Sequence, residues 1–388
     1  MTCGTASAPC GGGVHCAPVN VRFDRAIGRQ ARRERAPQRT REDERSLKAE
    51  GRTRRELLRL AGATALVAAC GPFAGPPRGL RALKVGHLAR QLGNLVPLYD
   101  EVGPRHGIRF EVSLFPDGAA LLAALSTGDI LLAAPTKVQL VQAMSRGVDL
   151  AMVCGYAGGY VTFVTPKGSS AVPGDWAGLG RRVGRTGATL VRIGVPTASL
   201  QYVSLLERLK ANGIDAEKDV DIVNVPFNEH VNALAAGQIE MAAALSLFAA
   251  QGLLQDKVTL FEHAKSTALG HFDVGFITTR KLVRERPEDV QDLVSAHYDA
   301  MRQIADDPAH GLAREVRYSE LPEAVVRRSY EFLTFDHRVD VAAVRSTERV
   351  MRDLRLHTAD LSSKVDEYVE LSFLAKAAGK PVADVASW

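Results

Sequence analysis

From Leu83 to Phe261 the sequence alternates short apolar runs with segments whose apolar residues recur every three or four positions. The short runs are Leu83–His87, Arg109–Phe115, Ile130–Ala133 and Val148–Val153, then Ile193–Val195, Asp221–Val225, Ile239–Leu245 and Val258–Phe261. Each suits a buried strand and is too short for a stable helix. Helix-like segments separate them: near Asn94–Pro104, then Gly118–Leu125, Thr136–Ser145, Asn228–Ala236 and Leu247–Leu254. This alternation predicts α/β architecture with parallel, doubly wound sheets, because parallel neighbours need a long crossover and a helix is the compact one. Asp117-Gly118 and Thr127-Gly128-Asp129 supply turns. Gly158–Pro166 and Gly270–Thr278 are further apolar, strand-like runs, and Lys167–Thr189 reads as irregular and polar, anchored by Trp176. From Pro287 onward the pattern is helical: Val290–Ile304, Pro322–Phe332, Val341–Arg352 and a last helix near Leu361–Ala378.

The second half of the series opens with Arg192–Asp215, a short strand, a Pro-Thr turn and a helix. Leu200, Val203, Leu206 and Leu209 share one helix face, and Gly213 stops the helix in a left-handed turn. The helix opens on Thr197, Ala198 and Ser199. Its first backbone N–H groups lack partners and carry partial positive charge, so this end suits a carboxylate, sulfonate, nitrate or phosphate. An ordinary cap, in which Thr197 or Ser199 satisfies its own helix, is the alternative.

Residues 123–134 and 232–243 echo each other, each reading as a helix end, a glycine turn and a strand. The echo suggests two similar α/β lobes.

Charge separates the chain into parts. The formal net charge is +5, but residues 21–59 alone carry +7, which leaves −2 for residues 71–388. The folded part therefore offers no basic surface of the size nucleic-acid binding needs. Residues 1–50 read as a disordered leader or a start placed too far upstream, and Cys3, Cys10, Cys16 and His15 do not form a zinc ligand set. Thr53-Arg54-Arg55-Glu56-Leu57-Leu58-Arg59 resembles a twin-arginine export motif, and the apolar segment to Ala69 suits a signal-peptide core. Val67-Ala68-Ala69-Cys70 resembles a lipobox, which implies lipidation at Cys70 and a membrane anchor. A Gly/Pro-rich tether, 71–81, leads to the domain.

Leu125-Ser-Thr-Gly-Asp-Ile130, Gly147-Val-Asp-Leu150, Trp176–Val183, Ile193-Gly-Val-Pro-Thr-Ala198, Leu209–Asp215 and Ala233–Ile239 occur in an informative order. With them, Leu83–Asp273 resembles the periplasmic substrate-binding proteins of ABC importers, in the nitrate/sulfonate/taurine group related to the thiamine-precursor binders. The resemblance implies a two-lobed periplasmic-binding-protein type 2 fold with a C-terminal helical segment. Lobe 1 would comprise 82–160 and 272–388, and lobe 2 161–271, with crossings near Gly158–Thr165 and Gly270–Thr278. It implies an exported, monomeric lipoprotein that passes a small anionic ligand to permease and ATPase subunits, with no cofactor, metal or catalytic residues. A thiamine-pyrimidine binder or synthase-like enzyme on the same fold, and a sensory binding subunit, stay open as alternatives.

In such sheets the crevice lies beyond the carboxyl ends of the strands, which selects the candidate ligand residues. In lobe 1 they are His87, Gln91 and Asn94, with Arg90 beside them, then Asp117, Gly118, Pro135 and Thr136. Tyr156 and Tyr160 mark the crossing. In lobe 2 they are Thr197, Ala198, Ser199, Phe227, Asn228 and Ser246. His87 and Arg90 are expected either to meet an anion or to pack. The family's alanine-rich helix and Gly-Phe turn after the first strand are replaced by His87–Asn94, and Gly184–Val191 reads as an insertion. Cys154, on an apolar strand, reads as a buried core thiol.

Overall fold

A computed structural model describes residues 79–89, 91–183, 190–197, 199–263 and 272–387. The chain divides into two compact units, Met1–Phe73 and Ala74–Trp388, and all described residues belong to the second. Cys70, the leader, Arg90, Ala198 and most of the expected insertion lie outside the described residues.

The first lobe opens with β1 (Arg81–Leu88), α1 (Tyr99–Val102), β2 (Ile108–Phe115), α2 (Gly118–Thr127), β3 (Leu132–Ala133), α3 (Lys137–Ser145) and β4 (Ala151–Gly158). The second holds β5 (Val161–Pro166), α4 (Trp176–Val183), β6 (Val191–Gly194), α5 (Leu200–Ala211), β7 (Val220–Val223), α6 (His230–Ala235), β8 (Met241–Leu245), α7 (Ser246–Leu254) and β9 (Val258–His263). The chain returns through β10 (Val274–Thr278) to α8 (Arg280–Glu285), α9 (Pro287–Asp306), α10 (Pro308–Ser319), α11 (Glu323–Tyr330), β11 (Thr334–Phe335), β12 (Val339–Asp340), α12 (Val341–Asp353), α13 (Ser372–Ala378) and β13 (Ala386–Ser387).

The two large sheets repeat one plan. The first runs β2-β1-β3-β10-β4-β11 and the second β7-β6-β8-β5-β9. In the first, β1 lies parallel between β2 and β3; in the second, β6 lies parallel between β7 and β8. In each, a strand arriving from the other lobe is inserted antiparallel: β10 between β3 and β4 in the first sheet, and β5 between β8 and β9 in the second. Both inserted strands follow a crossing, Gly159–Tyr160 in one case and the connection from β9 to β10 in the other. This mixed sheet, built twice, is the two-lobed type 2 fold.

The reasons are local. Every residue of β4 is buried, as a central strand covered on both faces requires. Helix α9 buries Val290, Leu293, Val294, His297, Met301 and Ile304, a stripe at helical spacing that packs the C-terminal helices onto the first lobe.

Four expectations change. Trp176–Val183 is helical, with Trp176 buried as its anchor; it packs edge-on against Phe163 and Phe261. Helix α10 was absent from the sequence reading because its wholly buried positions are Gly311 and Glu315, which leave little apolar periodicity to read. The last helix shrinks to a single 3-10 turn, Val365–Tyr368, and α13. The segment after β1 forms a buried loop and a short 3-10 turn, Val96–Leu98, before α1, because Gly93 (φ 68) and Leu95 (φ 61) both take left-handed backbone. Among the described residues no helix is long and apolar enough to cross a membrane.

Candidate functional site

The predicted residues fall into three groups, and the hinge joins them. Asp273, just before β10, is 6% exposed. Its Oδ2 accepts the backbone N–H groups of Gly159 (2.8 Å) and Tyr160 (3.0 Å) in the other crossing. Its Oδ1 lies 3.4 Å from Lys137 Nζ, a side chain with no exposure at the start of α3, and its carbonyl accepts the Lys137 N–H. Burial lowers the Lys137 pKa and Asp273 holds it up, so the carboxylate is what keeps an ammonium there. One acid thus ties together both crossings and a helix of the first lobe.

The second lobe grips the same two residues. Ser246 Oγ donates to the Gly159 carbonyl, and Ser246 N–H and Gln201 Nε2 donate to the Tyr160 carbonyl (3.2 and 3.1 Å). His263 Nε2 also lies 3.2 Å from the Gly159 carbonyl. Gly159 has φ 91, and a Cβ there would sit 1.9 Å from the Phe332 carbonyl oxygen, so only glycine fits the hinge.

Of the first group, Tyr156, Tyr160, Gln91 and Asn94 are brought together. Tyr156 and Tyr160 donate to the carbonyls of Gly93 and Leu92. The Gln91 side chain lies close enough to the Tyr160 hydroxyl to influence it, and its Oε1 is buried with no hydrogen-bond partner among the described residues. Asn94 Oδ1 accepts the Val96 N–H, fixing the turn into α1. Leu92 packs with Leu247 of the second lobe and Val325 of α11, flanked by Phe248 and Leu321. The wall of the first lobe here is therefore apolar, with a few aimed hydrogen-bonding groups.

His87 sits apart, inside the first lobe. His297 Nδ1 lies 2.6 Å from the Leu293 carbonyl, so it carries the proton and Nε2 accepts from Tyr99 (2.6 Å). The Tyr99 oxygen then accepts from His87 Nε2 (2.7 Å), which leaves His87 Nδ1 a bare, buried acceptor. Burial first, and His297 second, push the His87 pKa down to about 3. A neutral, enclosed imidazole of this kind offers no cation to an anion.

The second group caps helices. Asp117 accepts the Ala120 N–H at the start of α2, and Thr136 forms a capping box with Gln139 at the start of α3. Gly118 lies under the Gln139 side chain, and Pro135 is buried. The third group borders α5. Ser199 Oγ accepts the Tyr202 N–H (3.1 Å) and donates to the Pro196 carbonyl (2.7 Å), so its hydroxyl serves its own helix. Thr197 is exposed, and Asn224 Oδ1 accepts its backbone N–H (3.2 Å). Phe227 stacks edge-on with His230, and exposed Asn228 donates to Glu229. Helices α3 and α5 meet across the lobes, and Gln201 carries the third group to the crossing as Lys137 carries the second.

Sequence reasoning missed Lys137, Gln201, Asp273 and Glu315. Lys137 and Asp273 each carried a signal, a charge beside an apolar segment. Gln201 lies in the first turn of a recognised helix. Glu315 gave none, since its backbone partner Gly93 is 222 residues away.

The NMT1-like family matches residues 91–316, more than half of the sequence and nearly all of the site. The chain belongs to the NMT1-like family. Its fold is shared by the periplasmic aliphatic sulphonate binding protein SsuA from Escherichia coli, with a TM-score of 0.62 at 16% identity over 74% of this chain and 91% of that one. It is shared by the periplasmic nitrate-binding protein NrtA from Synechocystis PCC 6803, at 0.63 and 16% identity over 79% and 91%. It is also shared by the zinc-bound ligand-binding component of an ABC-type import system from Staphylococcus aureus, at 0.64 and 15% identity over 76% and 99%. Among curated protein sequences none matches significantly. In this NMT1-like chain no group of three His, Cys, Asp or Glu among the described residues could hold a metal ion.

Proposed function

We propose that this NMT1-like protein is the exported solute-binding subunit of an ABC importer. It closes two lobes on a small ligand and presents it to a permease and its ATPase. The observation that carries the reading is the hinge: two lobes of one strand order, joined by crossings that converge on Asp273 and Gly159. Two crossings of this kind allow rigid lobes to open and close around a buried ligand. The fold shared with sulfonate- and nitrate-binding proteins and with an importer's binding component supports the same reading.

The ligand in this reading is a sulfonate-, nitrate- or taurine-like anion. Its acid group is held by the backbone at the start of α5, where Thr197 keeps a hydroxyl with no hydrogen bond among the described residues. Gln91 Oε1 is an acceptor waiting for a donor, which suits a taurine-like molecule with an N–H opposite its acid group. The protein acts as a carrier and not as an enzyme. Export follows from the Arg54-Arg55 signal, and anchoring from acylation at Cys70.

The test is to purify the protein from its native compartment and identify the co-purifying small molecule by mass spectrometry, with calorimetry against taurine, ethanesulfonate and nitrate. A small acid bound in equimolar amount supports the reading. An empty protein to which none of the three binds refutes it.

A further inference from the structure

The loop Gln91–Leu95 is held by buried side chains from three other elements, which take its backbone groups in succession. Tyr160 donates to the Leu92 carbonyl (3.0 Å), and Tyr156 donates to the Gly93 carbonyl. Glu315 Oε2, on α10, accepts the Gly93 N–H (3.0 Å) and the Tyr330 hydroxyl of α11 (3.1 Å). These are the hydrogen bonds to Glu315 among the described residues, and Glu315 is 1% exposed. A Cβ on Gly93 would lie 2.8 Å from the Phe335 ring and 2.9 Å from Leu333, so the loop has no room to slide on this face. Beyond it, Leu92 reaches Leu247 of the second lobe.

We propose that Glu315 is the positioning residue of this loop, latching it to the C-terminal helices and releasing it as the carboxyl ionises. The consequence for ligand capture rests on the proposed function; the latch itself does not.

The groups around Glu315 fix the sign. Tyr330 of α11, Tyr156 of β4, Tyr160 of the crossing and Tyr318 of α10 itself all feel its charge, and all keep neutral hydroxyls, their own pKa values being raised by burial. From the segment that packs on α10 ahead of β2, Asp100 and Glu101 are engaged by Arg314 and His310. Among the described residues no cation compensates the carboxylate, and burial pushes its pKa up to about 7 despite the two hydrogen bonds. A carboxyl raised in the closed loop and ordinary in the open one stabilises closure below about pH 4.5, and loses that effect as pH rises through about 7. Between pH 6 and pH 8 the opening equilibrium should rise about tenfold.

Hydrogen exchange of the Gly93 amide in the full chain, corrected for intrinsic rates, reads this directly. Wild type should lose about tenfold in protection from pH 6 to pH 8 while the central β1 amides hold theirs. Glu315→Gln, which keeps both acceptor contacts and cannot ionise, should be flat. If Glu315→Gln fails to fold, Tyr330→Phe serves instead. It removes a bond that favours the carboxylate, so the closed-loop pKa rises further and the loss of protection should continue to higher pH before levelling off. A flat wild type, a Glu315→Gln slope equal to wild type, or an unmoved Tyr330→Phe profile overturns the proposal. The readout needs no ligand, so failure of the solute-binding reading would leave it unchanged.

Discussion

Asp273→Ala is the sharpest test of the hinge. The substitution strips the acceptor from two backbone N–H groups, at Gly159 and Tyr160, in a part of the molecule closed to water. Each buried N–H left unpaired costs about 1–3 kcal/mol. It also removes the carboxylate that compensates the Lys137 charge, whose side chain has no exposure. Breaking a buried pair from one side costs about 3–5 kcal/mol, but Lys137 can shed its proton, since burial already lowers its pKa, and that caps the cost near the lower figure. The total is about 5–9 kcal/mol, a large part of the roughly 5–15 kcal/mol that stabilises an ordinary domain.

Urea unfolding of wild type, Asp273→Ala, Lys137→Met and the double variant would measure it. The double variant should be less unstable than the sum of the singles, because Lys137→Met removes the charge that Asp273→Ala exposes. Asp273→Asn should fall between wild type and Asp273→Ala, since its amide oxygen can still accept from one N–H. If Asp273→Ala unfolds at the wild-type midpoint, or if the two losses simply add, Asp273 does not hold the crossings and the argument fails.

The acid response follows from buried histidines. His87, His297 and His230 are pushed down by burial to about 3, 4 and 4. The stability they contribute is present above pH 6.5 and lost as pH falls toward 4. Each should remove about 2 kcal/mol between pH 7 and pH 5, while Glu315, shifted the other way, returns about as much as one of them. Urea midpoints at the two pH values check the net loss of roughly 4 kcal/mol, and equal midpoints would mean these imidazoles are not held neutral. Gly159→Ala should prevent folding or lower the melting temperature sharply, because the added carbon meets the Phe332 carbonyl; calorimetric melting reads it. Thr197→Val should weaken taurine or ethanesulfonate binding about tenfold by calorimetry, as loss of one hydrogen bond to a charged group predicts. Cys70→Ala should move the protein from the membrane to the soluble fraction, and uptake of a labelled fatty acid by the variant would contradict acylation at that residue.

What could be read from the sequence, and what could not, divides by the range of the interaction. Strands such as Ile193–Val195 and helices such as α5 are written locally, in apolar period and a glycine stop, and both lobes were legible on that basis. Helix α10 faces the core with Gly311 and Glu315, so its reason for existing lies in distant partners. The same holds at the site. Position relative to strand ends selected Tyr156, Tyr160, Gln91 and Ser246, and all four make contacts within the crossing and loop cluster. That argument could not say what each atom is already bonded to. Ser199 was selected as a hydroxyl at a helix start that its own helix uses, and His87 as a residue that could meet an anion, whose charge burial removes. Asp273 reaches Gly159 across 114 residues and Glu315 reaches Gly93 across 222. A sequence pattern can place a residue at the cleft, but only the fold decides whether its polar atoms are spent on the protein or left for a ligand. On that criterion Ser199, Ser246 and Asn94 Oδ1 are spent on the protein, whereas Gln91 Oε1 and the Thr197 hydroxyl carry no hydrogen bond among the described residues, which is why the proposed function assigns those two to the ligand.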